Sequence, residues 1–514
     1  MNRIPPEGAA AFGVARSAPR PISVAIILSI MISAVGGIIY GYDTGVIGGA
    51  VAIIGNAFHL GSLMQGVVVS ASLLGAMAGA LTAGPLADRC GRKIILCLAG
   101  AIFAAGAAIS AFSGNVAVLL AARILLGTGV GACLVLVPVY IAELAPAPIR
   151  GMLVASFQLL ITLGILLAYG INALAESGGS WRIPLGIAAL FGAILACGAL
   201  FITESPRWLI SLHRRDEARR ILITLRGTDK VEKELRATER LNEKERHDVT
   251  WRELWRGPVR HMVIIGALVA FLCNACGINL VIYFAPQILQ SSGFDTATSW
   301  LGTLGLGATN VVFTLVGMLT VDRIGRRPLL IGGAIGLTLC MTLMASTLTF
   351  SPFIGSGWLA LGALTGYIVM YALSPGVLCF LIISEIAPLR ARAKVTSLSI
   401  FINFSANLMV ALLSLPMLAR LGAASTFWIF AAICAVFVGF SFHVPETRGK
   451  SLEDVEHAFR QRHRERQRQA SANSAGSGLS LARRAQAMKR SGGTVDGAER
   501  PIAGAGGGGA EKRR

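Results

Sequence analysis

The sequence predicts an all-α membrane protein in which twelve transmembrane helices form two pseudo-symmetric six-helix halves joined by a helical linker. Three observations predict this fold: long apolar runs, charges confined to the segments between them, and two charged patterns that each occur twice. Of the 514 residues, 54% are hydrophobic and only 14% are charged, whereas soluble domains carry about 25% charged residues. The apolar runs are long enough to cross a bilayer. Lipid offers the backbone no hydrogen-bond partners, so the crossings must be helices.

The apolar runs follow one another along most of the chain. The first is too long for the core of a signal peptide and lacks a convincing cleavage site, so we interpret it as a helix of the folded protein. The predicted spans are 22–54, 62–84, 94–113, 116–143, 152–174, 182–202, 260–291, 298–321, 328–349, 356–384, 394–418 and 424–444.

The spans fall into two bundles, residues 22–202 and residues 260–444. Residues 203–259 between them are rich in Arg, Glu and Leu, which predicts short amphipathic helices on the cytoplasmic surface. Residues 1–21 and the tail 445–514, mostly beyond residue 459, have the composition of disordered segments.

The net charge of +19 would suggest a nucleic-acid partner in a soluble protein. Here most of the basic residues lie in alternate short loops, in the linker and in the tail, and the intervening loops are nearly free of Lys and Arg. The positive-inside rule explains this pattern. It predicts a multi-pass protein of the cell membrane with both termini in the cytoplasm and no nucleic-acid partner.

Two charged patterns repeat at nearly the same offset. Asp-Arg-x-Gly-Arg begins at Asp88 and again at Asp322 (322 − 88 = 234), and Glu-x-x-Pro-x-x-x-Arg begins at Glu143 and at Glu385 (385 − 143 = 242). Chance does not readily produce two unrelated patterns at one offset. Two parallel halves with a site between them are typical of transporters of the major facilitator type.

The repeated charges lie at the predicted cytoplasmic ends of spans. Pairs between neighbouring helices and between the halves would hold this side shut and separate when it opens. The alternative is that the arginines only anchor topology, but topology requires neither the acids nor their spacing. The predicted gating residues are Asp88, Arg89, Arg92, Glu143, Arg150, Glu204, Arg207, Asp322, Arg323, Arg326, Glu385 and Arg392.

An acid, Asp43, lies deep in the first span within Gly41-Tyr42-Asp43-Thr44-Gly45. A charged residue at a helix centre costs about 3 kcal/mol on insertion scales, so an intramembrane acid indicates a functional site. The alternative is a neutral or locally paired carboxyl that only joins two helices.

Seven motifs make the chain resemble the sugar porter family of the major facilitator superfamily over about residues 22–456. Of these, Glu-Ser-Pro-Arg-Trp and Pro-Glu-Thr-Arg-Gly together are specific to that family. The motifs are Gly41 to Gly45, Asp88 to Lys93, Arg123 with Gly127, Gly129 and Gly131, Pro138 to Glu143, Glu204 to Leu209, Asp322 to Pro328, and Pro445 to Glu453.

The resemblance implies proton coupling. In the family's proton symporters, an aspartate at the position of Asp43 pairs with an arginine at that of Arg123, and protonation of the acid releases the arginine. Facilitators of the family commonly have a neutral residue in place of the acid. Neither Asp43 nor Arg123 has a charged counterpart in the second half, so the pair is separate from the repeated scaffold.

The resemblance also implies a sugar site rich in amides, which offer a donor and an acceptor to neighbouring hydroxyls. Any single amide has an alternative role as a hydrogen bond between helices. Tyr40 is added because it lies one turn before Asp43. The implied solute-binding residues are Tyr40, Gln158, Asn274, Asn279, Tyr283, Asn310, Phe380, Phe404 and Asn407.

Some positions depart from the family pattern. Cys273 and Asn274 stand where the family usually has two glutamines, and Phe380 and Phe404 stand where it has tryptophans. These changes remove hydrogen-bonding capacity, so a polyol, cyclitol or modified sugar is an alternative to a standard hexose. Cys273-x-x-Cys276 has the spacing of a redox or metal site, but no histidine or acid accompanies it, and we interpret it as structural.

The expected function is therefore proton-coupled symport of a monosaccharide or polyol, without enzyme activity. We expect no metal or other cofactor, because the chain has no nucleotide-binding Gly-x-x-x-x-Gly-Lys-[Ser/Thr] loop and a proton gradient can drive uptake. The expected partners are the solute, protons and the bilayer, with the protein acting as a monomer. Three alternatives stay open: an uncoupled facilitator, a carrier of non-sugar solutes, and a non-transporting sensor.

Overall fold

The computed structural model describes residues 24–146, 149–176, 179–228, 231–245, 255, 259–350, 356–387 and 392–448. The predicted disordered segment 1–21 and the tail beyond Arg448 lie outside them. The described residues form helices and no strand. These helices are α1 Val24–Ala57, α2 Ser62–Cys90, α3 Arg92–Phe112, α4 Val116–Leu144, α5 Arg150–Glu176, α6 Arg182–Ala199, α7 Pro206–Ser211, α8 Arg215–Arg226, α9 Glu232–Glu245, α10 Val259–Ala275, α11 Ile278–Ser291, α12 Thr296–Ile324, α13 Arg326–Phe350, α14 Ser356–Leu373, α15 Pro375–Ile386 and α16 Arg392–Ser441.

Within the described part of the chain, eleven helical segments are long and apolar enough to cross a bilayer, against the twelve spans that the sequence predicts. The difference arises at α16, whose 50 residues would extend about 75 Å at a rise of 1.5 Å per residue. That is more than twice the roughly 30 Å of a hydrocarbon core. Gly422, with a φ of 82°, interrupts α16 between the predicted spans 394–418 and 424–444. Two helices therefore meet at a kink there, and a count of twelve depends on this glycine.

Two other predicted spans are broken in the middle. The span at 260–291 divides into α10 and α11 at Gly277, whose φ of 99° is a left-handed conformation that favours glycine. The span at 356–384 divides into α14 and α15 at Ser374, just before Pro375, which lacks the N–H that a continuous helix would use. Irregular backbone at membrane depth is tolerated where it is buried in protein or lines a cavity.

The two halves, α1–α6 and α10–α16, are each held by helices that approach closely. In the first half, α2 packs along α4. A Cβ atom at Gly75 would lie 1.9 Å from the carbonyl oxygen of Ile124, and one at Gly127 would lie 1.9 Å from that of Ser72. Small residues let membrane helices come this close, and here they bring the polar Ser72 of α2 against α4.

The linker forms α7, α8 and α9, which share one cluster of apolar side chains. Trp208 of this cluster donates a hydrogen bond to the carbonyl oxygen of Asp88 at 2.8 Å. Arg226 donates to the carbonyl oxygen of Leu144 at 2.9 Å and pairs with Glu234 at 2.7 Å. The linker helices are therefore attached to the ends of α2 and α4.

Four charged residues form what we call the first-half cluster: Asp88, Arg92, Glu143 and Glu204. The Arg92 guanidinium pairs with Asp88 at 3.0 Å and with Glu143 at 3.2 Å. The Glu204 carboxylate accepts hydrogen bonds from two backbone N–H groups, that of Arg92 at 2.9 Å and that of Ser205 at 2.8 Å. The cluster joins α2, α3, α4 and the start of the linker.

The second-half cluster, Asp322, Arg326, Glu385 and Glu446, repeats this arrangement. The Arg326 guanidinium pairs with Asp322 at 3.0 Å and with Glu385 at 2.9 Å. Glu446 accepts the backbone N–H of Arg326 at 3.1 Å. The sequence patterns did not identify Glu446 as a partner, although Glu446-Thr447 follows Glu204-Ser205 at the same offset of 242 (446 − 204 = 242). We call the side of the protein that carries both clusters the basic face.

The packing of α2 against α4 gives the first prediction. Gly75→Ala is expected to destabilise the protein by about 1–3 kcal/mol, because overpacking at a backbone contact forces the helices apart. Gly305→Ala is the matched control. Gly305 is exposed on α12 with no atom within 4 Å of the added Cβ, and alanine favours a helix over glycine by about 1 kcal/mol. The measurement is the unfolding temperature of each purified variant; equal effects would contradict the packing argument.

Glu446 gives a second prediction. Burial disfavours its charged form, but backbone N–H donors from Arg448, Arg326, Arg327 and Thr447 outweigh burial and hold the pKa of Glu446 below its ordinary value of 4.5. A lowered pKa stabilises the fold above the ordinary pKa, and this contribution disappears as the pH falls through the folded-state pKa.

The unfolding temperature of the wild type is therefore expected to exceed that of Glu446→Gln most clearly above pH 4.5, and the difference is expected to shrink at lower pH. The exposed Asp216→Asn serves as the control and should show no such trend. A difference that grows on acidification would refute the interpretation.

Candidate functional site

A buried ion pair lies inside the first half. Arg123 Nη1 of α4 donates to Asp43 Oδ1 of α1 at 2.6 Å, and Arg123 Nη2 donates to Ser72 Oγ of α2 at 3.1 Å. Arg123 is fully buried and Asp43 is 7% exposed. Removing one partner of such a pair leaves an uncompensated buried charge, which is strongly destabilising.

The Arg123 guanidinium is not fully satisfied. Among the described residues, its Nε has no hydrogen-bond partner. Arginine carries five N–H donors and no acceptor, so Arg123 depends on Asp43 for its only described counter-charge. A change in the charge of Asp43 would therefore change what holds Arg123 in place. The sequence analysis did not single out Ser72. Its polar side chain within the apolar second span was the feature that could have indicated it.

Three residues of the Gly41 to Gly45 motif contact three different neighbours of α1. A Cβ atom at Gly41 would lie 1.9 Å from the carbonyl oxygen of Ile161 in α5. Tyr42 donates to the carbonyl oxygen of Pro184 in α6 at 2.8 Å. Because the glycines let α5 approach and Tyr42 fixes α6, Asp43 is held toward α4.

A cavity of about 70 Å³ lies between the two halves. A buried water needs only about 10–15 Å³ on this measure, so the cavity has room for several waters that a polar solute could displace. Its described lining includes six of the nine solute-binding residues that the sequence implies: Tyr40, Gln158, Asn274, Asn279, Asn310 and Phe380.

Two amides of the lining already satisfy each other in part. Asn279 Nδ2 of α11 donates to Asn274 Oδ1 of α10 at 2.7 Å, across the break at Gly277. A primary amide has two donor hydrogens and one acceptor oxygen, so the Asn274 amide hydrogens and the Asn279 oxygen stay available to a solute. The break between α10 and α11 is what brings these two side chains together.

Three of the implied residues are not among the residues that line the cavity. Tyr283 hydrogen-bonds to Asn407 Oδ1 at 3.4 Å. Phe404 is fully buried and packs edge-to-face against Tyr40, with ring centroids 6.3 Å apart. In this conformation, Tyr283, Asn407 and Phe404 lie behind the residues that line the cavity and support them.

The lining also contains polar residues that the sequence analysis did not name as binding residues. Some signals were available: Thr44 belongs to the motif of Asp43, and Asn403 precedes the implied Asn407 by one helical turn. The others could not be separated from ordinary span residues without the structure. These additional residues are Thr44, Thr162, Thr314, Tyr371, Cys379 and Asn403.

The halves touch closely on the side of the cavity opposite the basic face. Helix α1 passes the cavity at Tyr40 and Thr44 and reaches Gly48 one turn later. There, an added Cβ would lie 2.5 Å from the carbonyl oxygen of Tyr283 in α11. Gln287 Nε2 donates to the Gly48 carbonyl at 3.3 Å, and Tyr169 of α5 donates to the carbonyl oxygen of Ile282 at 2.8 Å. Backbone contacts therefore close this side of the cavity.

The remaining predicted gating residues lie at helix ends on the basic face. Arg89 and Arg323 are exposed, and Arg150 Nη2 donates to the nearby Ala145 carbonyl at 3.5 Å. Arg207 is half-buried in α7, and Arg392 begins α16, but its side chain lies outside the described residues. The two clusters each join helices of one half, so the predicted closure between halves stays a prediction.

Comparisons with known proteins agree with this architecture. The sequence model of the family described as "Sugar (and other) transporter" matches residues 29–459. The probable metabolite transport protein CsbC of Bacillus subtilis is 40% identical over 84% of this chain and 93% of its own length. The galactose-proton symporter of Escherichia coli K12 is 35% identical over 83% of this chain and 92% of its own length.

A solved structure shares the fold. The xylose transporter XylE from E. coli, in a partially occluded inward-open conformation, superposes with a TM-score of 0.74 at 28% identity over 84% of this chain and 100% of that chain. The chain therefore belongs to the family of sugar and other transporters within the major facilitator superfamily, multi-pass membrane proteins that are carriers and not enzymes.

Proposed function

We propose that the protein carries a monosaccharide or polyol together with a proton by alternating access. The observation that carries this proposal is the buried Asp43–Arg123 pair in the same helical turn as Tyr40 and Thr44, which line the cavity. A proton on Asp43 and a solute in the cavity would thus act on one turn of α1.

The coupling follows from the chemistry of the pair. Protonation of Asp43 removes the negative charge that faces Arg123, and the guanidinium keeps only neutral hydrogen-bond partners such as Ser72. Because a buried charge without a counter-charge is unfavourable, α1 and α4 then favour a different arrangement. Solute binding at Tyr40 and Thr44 favours one of these arrangements over the other, which links solute and proton movement.

The cavity chemistry indicates a neutral, hydroxyl-rich solute. No charged side chain is among the described residues that line it, whereas amides and hydroxyls line it from both halves. The relatives support this class, because they are named for galactose with a proton and for xylose. Pairing of Asn274 with Asn279 leaves fewer free groups than separate side chains would, which is compatible with a polyol as well as a sugar.

We further propose that the basic face and both termini lie in the cytoplasm of the cell membrane and that the proton gradient supplies the energy. The Arg-rich helix ends fit the positive-inside rule. The protein would work as a monomer, without a cofactor, since the cavity lies between two halves of one chain.

The decisive experiment measures solute-driven proton movement in proteoliposomes, with pentoses, hexoses, polyols and inositols. Addition of a transported solute is expected to make the outside alkaline with the wild type. Asp43→Asn should lose accumulation at least about tenfold while keeping exchange of labelled solute, because Asn cannot carry the proton. Asp216→Asn, which changes an exposed acid of α8, should behave as the wild type.

Solute entry without proton flux in the wild type would show that the protein is a facilitator. No movement of any of these solutes would overturn the proposed solute class.

The cavity wall gives another prediction. Asn310→Ala is expected to raise the solute concentration for half-maximal uptake by about tenfold, because it removes one hydrogen bond to the solute that contributes about 1.4 kcal/mol. Asn407→Ala, whose partner is Tyr283 rather than the cavity, should change this concentration by less. The measurement is the concentration dependence of uptake. A larger effect at Asn407 would show that the bound conformation turns this residue toward the solute.

A further inference from the structure

The break between α10 and α11 leaves a backbone carbonyl group to be satisfied inside the second half. Cys276 and Gly277 lie between the two helices, and the Gly277 N–H turns back to the Asn274 carbonyl at 3.2 Å. In the described part of the chain, no backbone N–H at the break donates to the Cys276 carbonyl oxygen. A buried carbonyl group without a partner is unfavourable, so this oxygen needs a donor from another helix.

Two side chains from other helices supply donors to the Cys276 carbonyl. The Tyr367 hydroxyl of α14 donates to it at 3.1 Å, and Cys434 Sγ of α16 donates to it at 3.5 Å. Both side chains are buried. A thiol is a weak donor, whereas a phenolic hydroxyl is an ordinary one. Tyr367 is therefore the main partner of this carbonyl group.

A third side chain packs directly against the break. A Cβ atom at Gly277 would lie 2.7 Å from Phe430 Cδ1 of α16, so the phenylalanine ring fills the space that a side chain at Gly277 would need. Phe430 and Cys434 are four residues apart in α16 and therefore lie on one face of that helix. We call Tyr367, Phe430 and Cys434 the break bracket, because they hold the break from two neighbouring helices.

The break bracket acts on the cavity from outside it. None of its three residues is among the described residues that line the cavity. The break that they hold lies between Asn274 and Asn279, two amides that do line the cavity and whose side chains are 2.7 Å apart across the break. The backbone conformation at Cys276 and Gly277 sets how these two amides face each other. A side chain that fixes the Cys276 carbonyl therefore fixes the amide pair without contacting the solute.

We propose that Tyr367 is a positioning residue for the solute site, because its hydroxyl holds the Cys276 carbonyl and thereby keeps Asn274 and Asn279 paired. The effect on solute binding rests on the proposed function, whereas the hold on the break does not. Without the hydroxyl, the carbonyl keeps only the weaker thiol donor, and the break adopts other conformations more often. The amides are then paired for less of the time, so the solute binds more weakly.

The first measurement is backbone hydrogen exchange of the purified full-length chain in lipid vesicles, with the wild type compared with Tyr367→Phe. The Val281 N–H donates to the Gly277 carbonyl at 3.2 Å. The peptide that contains Val281 is expected to exchange about tenfold faster in the variant, because the break beside it is loosened. Exchange that is unchanged in this peptide would overturn the hold of Tyr367 on the break.

Tyr140→Phe is the matched control. Tyr140 is fully buried in α4 of the first half, and its hydroxyl also donates to a backbone carbonyl, that of Thr203. The control thus loses the same kind of hydrogen bond at a place remote from the break. It should leave exchange in α11 as in the wild type, even where it lowers the unfolding temperature.

The second measurement is the concentration dependence of solute uptake in the same vesicles. Tyr367→Phe is expected to raise the solute concentration for half-maximal uptake about fivefold, the effect of one lost hydrogen bond, with a smaller change in the maximal rate. Tyr140→Phe should leave this concentration unchanged. In an Asn279→Ala background, Tyr367→Phe should cause no further rise, because the pair that it positions is gone. A change in the maximal rate alone, or full additivity with Asn279→Ala, would overturn the positioning role.

Cys434→Ala is the second variant and carries the test if Tyr367→Phe does not fold. It removes the weaker donor to the Cys276 carbonyl, so it should change both measurements in the same direction but by less than Tyr367→Phe. A larger effect of Cys434→Ala would overturn Tyr367 as the main partner. If the wild type carries no solute, the proposed function fails and the positioning role with it, whereas hydrogen exchange still decides whether the bracket holds the break.

Discussion

The burial of a positive and a negative charge between α4 and α1 is the constraint on which the first half depends. Arg123 and Asp43 lie 2.6 Å apart, and each offsets a buried charge that would be unfavourable alone. That distance in turn requires α1, α2, α4 and α5 to approach closely, which the glycines at their contacts permit. The glycine-rich sequence and the buried charge pair are thus two parts of one arrangement.

The two charged clusters show a different use of charge. Both are partly exposed, and each uses an arginine between two acids and a third acid that accepts backbone N–H groups. Their repetition at offsets of 234 and 242 residues indicates a shared scaffold that ends the helices of each half. The Asp43–Arg123 pair has no counterpart in that scaffold. Its position beside the cavity, rather than at a helix end, is the physical basis for assigning it to coupling.

The cavity depends on broken helices from the second half. A continuous α10–α11 helix would not place Asn274 and Asn279 within 2.7 Å of each other, because five residues along a helix lie on different faces. The same break frees backbone carbonyl groups, which the thiols of Cys276 and Cys434 and the hydroxyl of Tyr367 satisfy.

The sequence by itself determined the membrane class and the repeated halves, because hydropathy and charge pattern are local or periodic signals. The pairing of Asp43 with Arg123 was expected from the resemblance of the motifs to a known family. The sequence also named six of the residues that line the cavity. The tertiary structure alone decided that Ser72 is a hydrogen-bond partner of Arg123 and that Glu446 repeats Glu204. These are contacts between distant helices, and their geometry depends on crossing positions and helix breaks that no local pattern specifies.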